Sequence, residues 1–109
     1  MSRQLNHYPK FVLEHPNPPV ELNFDDIFGR SAPIHIEIGS GKGTFLVNQA
    51  RCQLDADFIG IEWAGKFYRF AVDRIGRCNL ANVRIIRTDA DPYISNIAIT
   101  VGLSKNSNS

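Results

Sequence analysis

The chain has 109 residues, a formal net charge of +1, and 43% apolar against 21% charged residues. That length supports one small domain with a single core, burying roughly 60–70% of the surface an unfolded chain exposes. The near-neutral balance argues neither for nor against a nucleic-acid partner. Cys52 and Cys78 lack metal-ligand spacing and suggest no disulfide framework, so a reduced, cytoplasmic setting and no metal are expected. The first residues lack the basic-then-apolar pattern of a signal peptide, and no apolar run approaches the roughly 20 residues of a membrane span.

Residues 1–30 read as an arm and covering segment. Pro9, Pro16, Pro18 and Pro19 make the first part irregular. A short helical turn is expected to open near Asn23, stop at Gly29, and lay Phe24, Ile27 and Phe28 over a sheet. Ile34 to Ile38 then reads as a strand ending in the glycine loop Gly39-Ser40-Gly41-Lys42-Gly43. A helix follows from Gly43 to Cys52, with Phe45, Leu46 and Ala50 as inward candidates. Phe58 to Glu62 is a second strand. Ala64, Phe67, Tyr68, Ala71, Val72 and Ile75 recur at helical spacing, with Gly76 and Asn79 as stop signals. Val83 to Asp89 is a third strand. The alternation predicts an α/β unit over residues 31–90, with parallel strands and right-handed crossovers. Residues 91–109 read as a divergent, partly disordered tail.

The site argument rests on charge. A glycine loop between strand and helix lets a cofactor approach the backbone closely. Gly39, Gly41 and Gly43 give G-x-G-x-G, where the dinucleotide fingerprint would want Gly or Ala at Thr44. Glu37 decides more. A pyrophosphate at a helix N-terminus wants N–H groups and no nearby carboxylate. S-adenosylmethionine has no phosphate, and its positive end suits an acid at the end of the first strand. Glu62, near the spacing at which an acid binds ribose hydroxyls, does not separate the two cofactors, because both contain adenosine. Asp89 is placed at the adenine end, with a turn or cap role as its competitor.

Blander readings compete at other positions. Lys66, Arg69, Arg74, Arg77, Arg84 and Arg87 face a single acid, Asp73, in that stretch. They read as a solvated helix face ahead of an RNA surface. Trp63 and Phe67 read as core ahead of adenosine contact, and Lys42 as facing solvent or substrate. His35 reads as a strand residue facing a neighbouring element.

The chain resembles the bacterial tRNA (guanine-N7-)-methyltransferases, which are class I S-adenosylmethionine-dependent enzymes. The likeness spans Tyr8 to Ala90 and rests on Phe11-Val12-Leu13-Glu14 in the arm, Asp25 to Gly29, Ile36-Glu37-Ile38-Gly39-Ser40-Gly41-Lys42-Gly43-Thr44-Phe45-Leu46, Phe58-Ile59-Gly60-Ile61-Glu62, and Asn82-Val83-Arg84 running on to Asp89-Ala90. It implies a partial Rossmann-like methyltransferase fold and S-adenosylmethionine bound by Glu37, Glu62 and Asp89, beside the Gly39 and Gly41 that the loop pattern itself puts at the cofactor. It further implies methyl transfer to guanine N7 in tRNA. Catalytic residues would belong to a C-terminal half that has no match here, since Asp91-Pro92-Tyr93 is only a superficial echo of the family's Pro-Asp-Pro-Trp segment. The expectation is therefore a truncated form, poorly active alone. Its sheet would be incomplete, with the first strand's open edge available for self-association or a partner chain. A non-catalytic donor-binding or interaction module, a methyltransferase for another substrate, and a dinucleotide oxidoreductase are the competing readings, the last disfavoured by Glu37.

Overall fold

The computed structural model describes residues 4–13 and 22–87. A 3-10 turn at Pro9–Phe11 precedes α1 (Phe24–Phe28), β1 (Ile34–Ile38), α2 (Thr44–Cys52), β2 (Asp57–Glu62), α3 (Gly65–Cys78) and β3 (Val83–Arg87). The strands form one parallel sheet in the order β1-β2-β3, as the alternating sequence pattern predicts. Asp89, the apolar stretch 97–101 and the polar tail lie outside the described residues.

The register sets which residues of neighbouring strands share a face, because successive side chains alternate between faces. Ile36 pairs with Ile59, Glu37 with Gly60 and Ile38 with Ile61, while Glu62 pairs with Arg87 across the other edge of β2. Both crossovers run the same way across the sheet, so both helices pack on one face. There Leu46, Val47 and Ala50 of α2 and Ala71, Val72 and Ile75 of α3 meet Phe58, Val83 and Ile85. On the other face Phe24 of α1 packs with Ile59, Ile61 and Ile86, and Ile34 and Ile36 lie partly buried beside them.

The short helix begins and ends where the sequence says. Asn23 Oδ1 accepts the Asp26 N–H at 3.1 Å, and Gly29 closes α1 at φ 71°. Asn79 ends α3 in the left-handed conformation at φ 51°, which Asn tolerates better than most residues. Gly76 has a different role from the stop signal expected of it. It lies inside α3, where any side chain would collide with the Tyr8 ring.

The N-terminal arm is more than an irregular lead-in. Phe11 is buried among α3 and β3 residues, Asn6 N–H donates to Asp73 Oδ1, and Leu13 N–H donates to the Ile85 carbonyl at 2.9 Å. Val12 thereby bridges Ile85 in parallel and extends the sheet beyond β3. At the opposite end, Arg30 grips the buried Asp57 at 2.7 Å and also reaches the Leu54 and Ala56 carbonyls. That hydrogen bond is the main reason the guanidinium pKa is raised.

Candidate functional site

The C-terminal edge of a parallel sheet is where open α/β folds gather ligands, because each strand hands over to a loop and a helix N-terminus there. Here that edge holds the loop Gly39 to Gly43. Its backbone requires glycine: Gly39, Gly41 and Gly43 have φ of 74°, 57° and 80°. Gly43 N–H donates to the Ser40 carbonyl, and both Gly39 and Ser40 N–H groups converge on the Ile61 carbonyl. The loop is thus pinned to the end of β2.

The three glycines differ in what surrounds them. A Cβ on Gly43 would lie 3.0 Å from Ala71 Cβ, so this residue lets the start of α2 press against α3. Gly39 is shielded by the Trp63 ring. Gly41 has nothing within 4 Å of where a Cβ would sit, which leaves its backbone open to an incoming molecule. Gly60 is a fourth such position, which the sequence reading passed over. A Cβ there would meet Leu46 at 2.7 Å and Ser40 at 3.2 Å, so its bareness lets α2 and the loop settle on β2.

Glu37 and Glu62 both point to the helix-bearing face, since Glu37 pairs with Gly60 and Glu62 lies two residues further along the same strand. Their environments differ. Glu62 is buried, with Oε1 accepting the Gly41 N–H at 2.6 Å and Oε2 the Ala64 N–H at 2.8 Å. Glu37 is half-buried and makes no hydrogen bond or ion pair among the described residues. Burial raises its pKa above the ordinary carboxylate value. A half-buried acid without a partner, beside an open glycine backbone, is chemically suited to a cationic group. Ser40 Oγ is also buried without a partner at this edge. Asp89 lies outside the described residues.

The structure corrects three side-chain expectations. Phe45 is 61% exposed and Val47 takes its place in the inward stripe of α2. Trp63 and Phe67 are 49% and 40% exposed, so neither is core. With Ile38 they leave large apolar side chains open at the C-terminal edge, next to Lys42 and Lys66. Lys42 itself lies 5.0 Å from the centre of the Phe70 ring.

The arginine-rich stretch divides. Arg77 pairs with the buried Asp73 at 2.9 Å. Arg84 lies over the Phe28 ring at 5.0 Å and donates to the Ala81 and Val83 carbonyls, with burial lowering its pKa. Lys66, Arg69 and Arg87 remain exposed. His35 stacks on Phe58 at 4.9 Å, as a strand residue facing its neighbour. The described residues contain no group of three metal-ligating side chains and no helix long and apolar enough to cross a membrane. Both cysteines are free. A separate cleft of about 370 Å³, lined by Phe28, Leu54, Asp57 and Asn82 among others, opens at the far end of the sheet from the glycine loop.

A family model described as "Putative methyltransferase" matches residues 31–105. The chain belongs to this methyltransferase family. The match covers the glycine loop, both helices of the helix-bearing face and all three strands. Among curated relatives, the tRNA (guanine-N(7)-)-methyltransferase of Streptococcus uberis is 33% identical over 88 residues, covering 81% of this chain and 41% of that protein. The enzyme of the same name from Geobacillus thermodenitrificans is 37% identical over 89 residues, covering 81% and 40%. That from Rhodopirellula baltica is 32% identical over 107 residues, covering 85% and 40%. The chain therefore spans about 40% of the length of these relatives. The family agrees with the resemblance drawn from the Glu37, Glu62 and Asn82 segments.

Proposed function

We propose that the unit from Ile34 to Asp89 binds S-adenosylmethionine and serves methyl transfer to N7 of a guanine in tRNA. The observation that carries the donor reading is the pairing of an open Gly41 backbone with the half-buried, unpartnered Glu37. When bound, S-adenosylmethionine supplies an electrophilic methyl group on a sulfonium centre. Glu37 would attract its cationic end. Glu62 would take the ribose hydroxyls, using acceptor positions that its two amide partners leave over. Asp89 is assigned to the adenine end on sequence grounds.

The tRNA substrate is supported by the names of the relatives and by the chemistry. Guanine N7 carries an in-plane lone pair and no proton, so the reaction needs no strong general base. Alignment of the two reactants supplies much of the rate. The exposed Lys42, Lys66 and Arg69 near the loop are compatible with a phosphate-bearing substrate.

Calorimetric titration with S-adenosylhomocysteine tests the donor site. The chain should bind it, and Glu37→Ala and Glu62→Ala should each weaken binding about ten- to a hundredfold, the loss of a hydrogen bond to a charged group. Unchanged binding in both variants rejects the assignment, and tight NAD binding without S-adenosylhomocysteine binding replaces it with a dinucleotide site. Methylation assays with tRNA, protein and small acceptors then read the substrate. Donor binding without turnover would favour a non-catalytic donor-binding module. Among the described residues β1 has a strand partner on one side only, so its other edge is where a second copy or a further strand would add. Light scattering that gives a monomer at all concentrations would reject self-association.

A further inference from the structure

Glu62 has partners of its own before any ligand is considered. Its Oε1 accepts the Gly41 N–H at 2.6 Å and its Oε2 accepts the Ala64 N–H at 2.8 Å. These amides belong to different elements. Gly41 is the middle glycine of the loop after β1, and Ala64 is the N-cap of α3. Neither amide has another acceptor among the described residues. Glu62 is 3% exposed, so these bonds form away from bulk water, where a charged acceptor is strong. Gly41 sits at φ 57° with nothing within 4 Å of where a Cβ would lie, and besides Glu62 its peptide unit is held by the Gly43 N–H bond to the Ser40 carbonyl.

We propose that Glu62 is a positioning residue for the glycine loop. Its carboxylate bridges the loop to the start of α3 and sets the direction of the Gly41 amide before the donor arrives. This deepens the donor-site reading and rests on it for its functional meaning. It gives one side chain two tasks, since a carboxylate has about four acceptor positions and the two amides take two of them. It also explains why a glutamate suits this place: the carboxylate must span two separate amides. Aspartate is a methylene shorter, and glutamine offers only one oxygen and turns an NH2 toward the second amide.

The competing view is that Glu62 simply caps α3 through Ala64 and that its approach to Gly41 is incidental. Amide hydrogen exchange on the ligand-free chain separates the two. In Glu62→Gln and Glu62→Asp, exchange at Gly41 should rise about tenfold or more, the loss of one charge-assisted bond, while Ile59 and Ile61 in β2 stay protected. Unchanged Gly41 exchange in both variants, with β2 still protected, overturns the proposal and leaves a cap. Should a variant lose protection in β2 as well, the wild-type chain decides. A through-hydrogen-bond coupling between the Gly41 nitrogen and the Glu62 carboxylate carbon is expected, and its absence overturns the proposal. None of these measurements uses a ligand. Failure of wild type to bind S-adenosylhomocysteine would sink the donor reading without touching the tether.

Discussion

β1 and β2 carry nearly the same pattern, a glutamate set among isoleucines, yet they live in different surroundings. All six residues of β2 are buried, whereas β1 has none below the buried level and leaves Ile38 49% exposed. The difference is position. β2 has a strand on each side and helices or α1 on each face, while β1 is the edge strand among the described residues. Apolar content thus signals a strand in both, but only sheet order decides which strand forms the core and which stands beside a binding edge. The two glutamates inherit the contrast: Glu62 on the central strand is satisfied by the backbone, and Glu37 on the edge strand has no partner among the described residues.

The paired register makes this contrast measurable. Ile61 and Ile38 are opposite each other, so Ile61→Ala should cost about 2–5 kcal/mol in urea unfolding while Ile38→Ala costs about 0.5 or less. Equal losses would mean that β1 is covered as fully as β2. Gly60→Ala should cost about 1–3 kcal/mol, because Leu46 and Ser40 have to move away from the new methyl group. A neutral result would show that α2 is not pressed onto β2. Asn23→Ala should cost about 1 kcal/mol through the lost cap on α1, the cover of the opposite face.

The smallest effect is the pH dependence of Glu37, and its sign is definite. Burial raises the folded pKa above the unfolded value, so the native state holds the proton longer. Stability from this group is full below the unfolded pKa and declines as pH rises through the raised folded one. Glu37→Gln should remove that decline, seen as a flatter stability profile just above the ordinary glutamate range. Donor affinity, which needs the ionised form, should move oppositely and fall on acidification in wild type alone. A wild-type profile that matches Glu37→Gln would place the carboxylate in full solvent.

Much of this architecture was readable in the chain. Asn23 and Gly29 announced α1, and Ala71, Val72 and Ile75 announced the buried stripe of α3. Phe45 misled because apolar character says nothing about rotation about the helix axis. The contact of Gly43 with Ala71 turns α2 so that Leu46, Val47 and Ala50 face inward. Trp63 and Phe67 misled for a related reason, since Trp63 precedes α3 and Phe67 stands in its first turn, and both are exposed. The Gly41 amide met by Glu62 and the three backbone carbonyls met by Asn82 Nδ2 depend on segments 20 or more residues away, and no local pattern reports them.

The N-terminal arm has a consequence for how the chain reaches this state. Asn6 finds Asp73 across a separation of 67 residues, and Leu13 and Phe11 wait on β3 and α3 in the same way. During synthesis these residues leave the ribosome long before their partners exist. Until α3 and β3 emerge, Phe11 and Tyr8 have no cavity to fill, and the third strand, once made, lacks its outer neighbour until the arm returns. Closing such a long loop is slow and costs entropy before any contact repays it. The arm is therefore made before the helix and strand that hold it, and it takes its place only after both exist.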